Sequence, residues 1–149
     1  MALTQTTPGI DVRGPRFAAW ITTAVLAIVL ATNWWPLLAA QAVIFGIGAT
    51  RGPRHSPYGM LYSRIVAPRL GPVTEREPAA PVQFAQFVGL TFAAAGLVAY
   101  LAGAILAAQV LVGFAFAAAF LNAAFGICLG CQIYPLAARL APTGRGTAA

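Results

Sequence analysis

The chain has 149 residues, of which 60% are hydrophobic and only 8% are charged, and its formal net charge is +6. An ordinary soluble domain carries about 25% charged residues, and one of this length could not bury so much apolar surface. With a mean hydropathy of +0.79, the composition predicts an integral membrane protein whose first partner is the lipid bilayer. It excludes a soluble enzyme, a disordered chain and a nucleic-acid-binding protein.

The first long uncharged stretch, residues 17–50, is predicted to cross the membrane twice. As a single helix it would be about 50 Å long, whereas the hydrocarbon core of a bilayer is about 30 Å thick. Residues 33–36 (Asn-Trp-Trp-Pro) supply a break, because proline cannot continue a helix and paired tryptophans suit the membrane interface. The predicted spans are therefore at about 17–33 and 36–50.

The second uncharged stretch, residues 78–138, also has room for two spans of about 20 residues each. These are predicted at about 82–102 and 106–125, with a turn near Gly103. Residues 126–140 are left over and contain both cysteines. The sequence leaves open whether this CxxC segment continues the preceding helix, re-enters the membrane or lies at its surface.

The distribution of arginine predicts the orientation in the membrane. All nine positive side chains are arginine, and they fall in the N-terminal tail, the loop 51–81 and the last residues from 139 onward. The turns within the two predicted hairpins carry none, so both termini and the loop should be cytoplasmic. We therefore expect a single all-α domain over residues 1–149, a membrane-embedded four-helix bundle of two hairpins in the inner (plasma) membrane.

The cytoplasmic loop 51–81 is rich in proline and glycine but contains one piece with a helical pattern. Ser56 can cap a helix that has Pro57 at its first position, and Pro68 would end it. Apolar and aromatic residues then recur at helical spacing: Tyr58, Leu61, Tyr62 and Ile65. The pattern predicts a short amphipathic helix that lies on the inner leaflet, packs on the bundle, or does both.

The strongest chemical signal is the pair Cys128 and Cys131, the only two cysteines of the chain, spaced as C-x-x-C. A c-type haem would need histidine directly after the second cysteine, where Gln132 stands. A structural zinc site needs about four ligands, and the chain offers two thiols and the distant His55. A reversible dithiol/disulfide pair needs only the two cysteines and a partner. Simple packing, or half of a metal site shared between two chains, are the alternatives.

The local electrostatics of the cysteine pair depend on the helix that contains it. At the C-terminus of a continued helix the macrodipole would disfavour a thiolate. If Gly126 ends that helix and a new one begins near Cys128, the dipole would favour a thiolate instead. No cofactor-binding residue and no metal ligand is assigned from the sequence.

Several segments together resemble a known family. They are Asp11–Phe17, Gln41–Phe45, Arg54–Tyr58, Phe84–Gln86 and Leu121–Cys131 followed by Tyr134. In this order they look like the domain of unknown function 4395 family, small integral membrane proteins of bacteria, often actinobacteria, over about residues 10–140. The resemblance implies no established activity. It does suggest a class of partner, since members of the family are often found beside thioredoxin-like or sulfur-transfer proteins.

Two functions of different classes follow from these features. In the first, Cys128 and Cys131 are catalytic and carry out thiol-disulfide exchange on the cytoplasmic side, passing electrons between a thioredoxin-like partner and an acceptor in the membrane, for which a quinone is one candidate. In the second, the bundle is a non-catalytic anchor or scaffold subunit whose cysteines are structural. A homo-oligomer that passes a small neutral or sulfur-containing solute is a third and weaker option.

Overall fold

The computed structural model describes residues 9–140, which form an all-helical protein with 83% helix and six α-helices. The helices are α1 (Arg13–Thr32), α2 (Trp35–Arg51), α3 (Pro57–Leu61), α4 (Ala79–Leu101), α5 (Ile105–Phe125) and α6 (Leu129–Leu140). The prediction that the chain ends are cytoplasmic concerns residues 1–8 and 141–149 as well, and these lie outside the described residues.

Three of these helices, α1, α4 and α5, are long and apolar enough to cross a membrane. Their outward surfaces carry large exposed apolar side chains, including Trp20, Val98, Leu106 and Phe125. A soluble monomer rarely leaves so much contiguous apolar surface exposed, whereas a lipid-facing surface does. The length, composition and surface are those of a membrane protein.

The helix ends agree with the predicted breaks, and two starts lie earlier than predicted. Asn33 ends α1 in a left-handed conformation with φ 56°, and Gly103, with φ 84°, lies in the turn between α4 and α5. The structure begins α1 and α4 at Arg13 and Ala79, three or four residues before the predicted starts. Proline is tolerated in a first turn because the N–H groups there have no helical acceptor, so Pro15 and Pro81 do not delay these helices.

The four long helices pack around a common apolar core. The packing is most extensive between α2 and α4 and between α1 and α5, and α4 also packs along α5. Leu26, Val29, Leu38 and Val112 are fully buried at the centre. This arrangement places α2, which has 17 residues, inside the bundle alongside the three longer helices.

Polar side chains connect the helices at the end of the bundle that carries the two hairpin turns. Asn33 Oδ1 accepts hydrogen bonds from Gln109 Nε2 at 2.7 Å and from Tyr100 Oη at 3.1 Å. Gln109 Nε2 also lies 3.4 Å from Leu30 O. Such interhelical bonds satisfy amide groups that would otherwise be unpaired next to lipid. The bonds therefore hold the α1–α2 turn against α4 and α5.

The predicted loop helix is present, but its apolar face is divided. Ser56 Oγ accepts the N–H of Gly59 at 3.1 Å, which confirms the predicted N-cap. After α3 the chain continues as a π-helical turn, Tyr62–Val66, and a 3₁₀ turn, Ala67–Arg69. Tyr62 is buried, whereas Leu61 and Ile65 are 41% and 48% exposed. The tyrosine side of the helix thus packs on the bundle and the aliphatic side is left open.

The segment before α1 is tied to the loop by a short two-stranded pairing and an ion pair. Strand β1 (Ile10–Asp11) pairs antiparallel with β2 (Arg76–Glu77). Asp11 accepts two hydrogen bonds from the Arg13 guanidinium at 3.0 and 2.9 Å, and one from Tyr62 Oη at 2.6 Å. The Arg13 hydrogen bonds, aided by Tyr62 and opposed by partial burial, lower the pKa of Asp11 to about 2. Asp11 therefore stays ionised at neutral pH and anchors the loop.

Residues 126–140 form a separate short helix rather than a continuation of α5. Gly126 ends α5 in the left-handed conformation, with φ 71°, and α6 has 12 residues. A helix of that length is about 18 Å long, too short to cross the membrane. It packs against the start of α4: Tyr134 of α6 lies edge-on to Phe84 of α4, with ring centroids 5.7 Å apart.

Gly130 sets the distance between α6 and α4. A Cβ atom built on Gly130 would lie 2.6 Å from Ala85 Cβ and 2.7 Å from Ala85 Cα. Backbone atoms cannot move aside as a flexible side chain can, so any larger residue must push the two helices apart. The same close approach fixes the cysteine pair, which flanks Gly130 on both sides, against the bundle.

We expect Gly130→Ala to destabilise the protein by about 1–3 kcal/mol, because the added methyl group overpacks the α4–α6 contact. The measurement is the free energy of unfolding in detergent micelles. Gly113→Ala in α5 is the matched control: its Cβ would have no atom within 4 Å, so it should be neutral or slightly stabilising. Equal stability of the two variants would contradict this account of the α6 contact.

Candidate functional site

Cys128 and Cys131 are joined by a disulfide at the start of α6. Cys128 immediately precedes the helix and Cys131 lies in its first turn. Both side chains are partly exposed, and Gln132 beside them is exposed. The two residues singled out from the sequence are therefore brought together in one accessible site at the end of the bundle where the arginine-rich loop lies.

Cys128 has the position and the hydrogen bonds of a helix N-cap. Its carbonyl oxygen accepts the N–H of Gln132 at 3.1 Å, the first intrahelical bond of α6. Its sulfur accepts the N–H of Cys131 at 3.2 Å, in the place where a serine or aspartate oxygen usually acts. The N-terminal end of a helix is its positive end, so this position favours negative charge on the Cys128 sulfur once the disulfide is reduced.

The chain reaches this geometry through the glycine turn that ends α5. The N–H of Gly126 bonds Asn122 O at 3.0 Å, and the N–H of Ile127 bonds Leu121 O at 3.2 Å. Glycine adopts the left-handed conformation without the steric penalty of a side chain, which is why it commonly ends helices. Of the two electrostatic possibilities left open by the sequence, the structure has the second: a new helix begins at the cysteines.

Pro135 lies within α6. Proline has no N–H, so the carbonyl group four residues earlier, that of Cys131, receives no helical hydrogen bond from it.

A cavity of about 500 Å³ extends from the disulfide into the bundle. Both cysteines line it, together with residues from α1, α2, α4, α5 and α6. Most of the lining is apolar and includes Phe45, Val88, Phe92, Ala115, Ala118 and Ile133. This volume lies within the range of about 300–1,000 Å³ typical of small-molecule sites. The disulfide therefore has two accessible sides, one toward the outer surface and one toward an internal space.

Polar groups line the cavity near the disulfide. Arg16 is one of them, and its Nη2 donates to Ala123 O at 3.2 Å, near the C-terminus of α5. The Arg16 guanidinium also lies 3.8 Å from the position of a Cβ on Gly126. Asn122 lies on the same wall, one turn before the glycine. The cavity thus has a cationic and amide-bearing end next to the cysteines.

Two acidic residues of the loop line the cavity as well. Glu75 and Glu77 come from the segment that pairs with β1. Burial raises the pKa of the Glu77 carboxyl, and the neighbouring Glu75 carboxylate raises it further. Against the single arginine, these two carboxyl groups make the charged part of the lining acidic on balance.

A further polar group, Gln41, connects the cavity wall to the loop. Its amide oxygen accepts a hydrogen bond from Tyr58 Oη at 2.6 Å, and its amide nitrogen lies 3.5 Å from Thr22 Oγ1. Tyr58 and Thr22 both line the cavity. Gln41 therefore links α2 to α1 within the bundle, and the bond from Tyr58 fixes the loop helix over this end of the bundle.

Sequence reasoning identified the cysteines but not the residues that surround them. In the sequence, Arg16 indicates only topology, and Asn122 is one of several uncharged polar residues within the predicted spans. Gly130 does have a sequence signal, because its G-x-x-x-G spacing with Gly126 is typical of positions where a second helix approaches closely. Its partner Ala85 has none, because alanine is common throughout the chain. Gly126 also indicates a possible helix break just before the cysteines.

Within residues 9–140 no three His, Cys, Asp or Glu side chains cluster as a metal-ligand set would. The ring of His55, the one histidine of the chain, has its Nδ1 2.9 Å from Arg51 O, in the turn before α3. A metal site shared between two chains stays an untested alternative.

Comparison with known proteins places the chain in a family. The family model described as domain of unknown function (DUF4395) matches residues 10–139, so the chain belongs to this family, as the resemblance of its segments indicates. No curated protein and no solved structure matches the chain.

Proposed function

We propose that this member of the DUF4395 family is a four-span protein of the inner membrane that exchanges disulfides, through Cys128 and Cys131, with a thioredoxin-like partner on the cytoplasmic side. The single observation that carries the proposal is the position of Cys128 as the N-cap of α6 beside a cavity. A cysteine held only for packing would need neither the helix terminus nor access from two sides.

The four-span topology is supported by the dimensions and surroundings of α2. Its 17 residues correspond to about 26 Å, close to the thickness of the hydrocarbon core. It packs along α4 in the same bundle as the three longer helices. Within residues 9–140 the arginines lie at one end of this bundle, and neither hairpin turn carries a charge. By the positive-inside rule the end with the disulfide faces the cytoplasm.

The chemistry proceeds by two exchanges that balance in atoms and electrons. The Cys128 thiolate attacks a sulfur of the partner's disulfide; that S–S bond breaks, a mixed disulfide forms, and one partner thiolate leaves. The Cys131 thiolate then attacks the Cys128 sulfur and releases the second partner thiolate. The partner gains two electrons and the membrane pair becomes a disulfide. The reverse sequence reduces the membrane pair and oxidises the partner.

The helix N-cap assigns Cys128 as the attacking cysteine and Cys131 as the resolving cysteine. Helix-dipole stabilisation of a thiolate is worth about 0.3–1 kcal/mol, which corresponds to a preference of about two- to fivefold. Cys131 is within the helix turn, where its own N–H already donates to the Cys128 sulfur. Cys128 is therefore the better nucleophile of the two at neutral pH.

We expect Cys131→Ser to form a mixed disulfide faster than Cys128→Ser, by about two- to fivefold. The probe is a thioredoxin that retains only its first active-site cysteine, activated as a mixed disulfide with an aromatic thiol. Adduct formation by the purified membrane protein is followed by non-reducing electrophoresis, and the double variant, which lacks both thiols, is the control. The amount of folded protein is measured for each variant, because a buried serine hydroxyl without a partner costs about 1–3 kcal/mol.

Labelling of both single variants by a small aromatic disulfide, with no adduct to the thioredoxin probe from either, would contradict the exchange function. The chain would then be better described as an anchor or scaffold subunit with a structural disulfide. Equal rates for the two single variants would leave exchange in place but remove the assigned roles of the cysteines.

Reporter fusions test the topology. Fusions after Asn33 and Gly103 should be active with a reporter that works only outside the cytoplasm, and a fusion after Gly71 should be active with one that fluoresces only inside it. The physical reason is that the arginine-rich loop stays on the cytoplasmic side while the uncharged turns are translocated. An outside signal at Gly71 would overturn the proposed orientation.

A further inference from the structure

We propose that the cavity beside the disulfide binds a lipid-soluble quinone, which accepts two electrons from the reduced Cys128/Cys131 pair. This inference rests on the proposed exchange function and adds the second redox partner. Its basis is the joint placement of three features in one space: the two cysteines, an apolar chamber and a cationic group.

The cavity is reachable from the lipid. Phe114 and Ile133 both line it, yet they are 61% and 48% exposed on the surface of the bundle. A side chain that is open to the outside and also lines the cavity marks a place where the two spaces meet. An apolar ligand dissolved in the bilayer can therefore enter between helices without crossing water.

The interior of the cavity suits an aromatic ring. Phe92 and Phe114, from α4 and α5, have ring centroids 6.2 Å apart. Phe45 from α2 and the small side chains of Ala115 and Ala118 complete this part of the lining. Aromatic side chains pack favourably on a flat ring, and alanines leave room for one.

The polar end of the cavity matches the chemistry of a quinone that is being reduced. Quinone carbonyl oxygens accept hydrogen bonds and gain negative charge as electrons arrive. Arg16 and Asn122 both line the cavity, and Arg16 is adjacent to the turn that leads into Cys128. Arginine has five N–H donors, and one recorded bond, to Ala123 O, leaves others for a ligand. A fixed cation of this kind stabilises charge that develops during the reaction.

The charge of the lining argues for a neutral occupant rather than a phospholipid. Glu75 and Glu77 lie on the cavity with the single Arg16, so an anionic phosphate headgroup would meet more negative than positive charge. A quinone carries no charge and needs only hydrogen-bond donors at one end. Oxidation of a dithiol also requires an acceptor of two electrons, which a quinone is and a phospholipid is not.

The transfer of electrons from the dithiol to the quinone balances in atoms, electrons and protons. Cys128 and Cys131 lose two S–H bonds and gain one S–S bond. The two electrons and two protons pass to the carbonyl oxygens of the quinone, which becomes a hydroquinone with two O–H bonds. With the exchange proposed above run toward oxidation of the partner, the pair transfers electrons from a cytoplasmic dithiol to the membrane.

The test uses the whole chain in detergent and decylubiquinone, whose ring carbons are fully substituted so that a thiol does not add to the ring. Binding is first measured by equilibrium dialysis on the Cys128→Ser/Cys131→Ser double variant, which separates binding from exchange. Ala118→Phe, which fills the cavity, should weaken binding at least tenfold. Ala117→Phe, the adjacent but outward-facing position on α5, is the matched control and should bind normally. Arg16→Gln is the second test of the site and should also weaken binding.

The second measurement is oxidation of the chain with both cysteines present and reduced. Decylubiquinone should convert the pair to the disulfide, with one hydroquinone formed per disulfide, and Ala118→Phe should slow this at least tenfold. When it is combined with Cys131→Ser, the variant should still form the adduct with the thioredoxin probe, because the remaining Cys128 thiol is also open to the outer surface. No saturable binding, binding unaffected by Ala118→Phe and Arg16→Gln, or binding without thiol oxidation would each overturn the quinone site. Quinone-dependent oxidation without any thioredoxin adduct would support the quinone site and reject the partner in the proposed function.

Discussion

The candidate site depends on one backbone constraint, the left-handed turn at Gly126. If α5 continued through this residue, the cysteines would lie on a longer membrane helix and the dipole would disfavour a thiolate. Because the chain turns there, α6 begins at Cys128, the sulfur takes the N-cap position, and the new helix folds back onto α4. The electrostatics of the pair, its partial exposure and its contact with the cavity all follow from this turn.

The rest of the bundle holds that turn in place through two layers of polar contacts separated by an apolar core. At the end with the hairpin turns, Asn33 joins Tyr100 and Gln109. At the opposite end, Tyr58 bonds Gln41, and Tyr62 bonds Asp11. The bonds that lie between the long helices face little competing water in lipid, so they are retained where the alternative is an unsatisfied group. The cavity lies between the loop-side contacts and the core, next to the point where α6 is attached.

Sequence reasoning predicted much of this fold, since the apolar lengths, the Asn-Trp-Trp-Pro break and Gly103 located all four long helices to within a few residues. The missed residues at the starts of α1 and α4 have a simple cause: the predicted spans begin after the last charged residue or after the proline-rich loop, whereas a first helical turn accommodates both arginine and proline. The cysteines were found from their number and their C-x-x-C spacing. Arg16 and Ala85 were not, because their part in the site comes from contacts between helices that are distant in sequence, and no local pattern records such contacts.

The central claim is that the Cys128/Cys131 pair changes redox state as it works. The most direct measurement is the oxidised fraction of the pair in living cells, obtained by quenching with acid and labelling free thiols with a bulky maleimide that shifts electrophoretic mobility. The account predicts that this fraction falls when a membrane-permeant reductant is added, and also when respiration is blocked so that the quinone pool becomes reduced. If the pair stays entirely oxidised or entirely reduced in untreated cells, after addition of the reductant and after respiration is blocked, the central claim is contradicted.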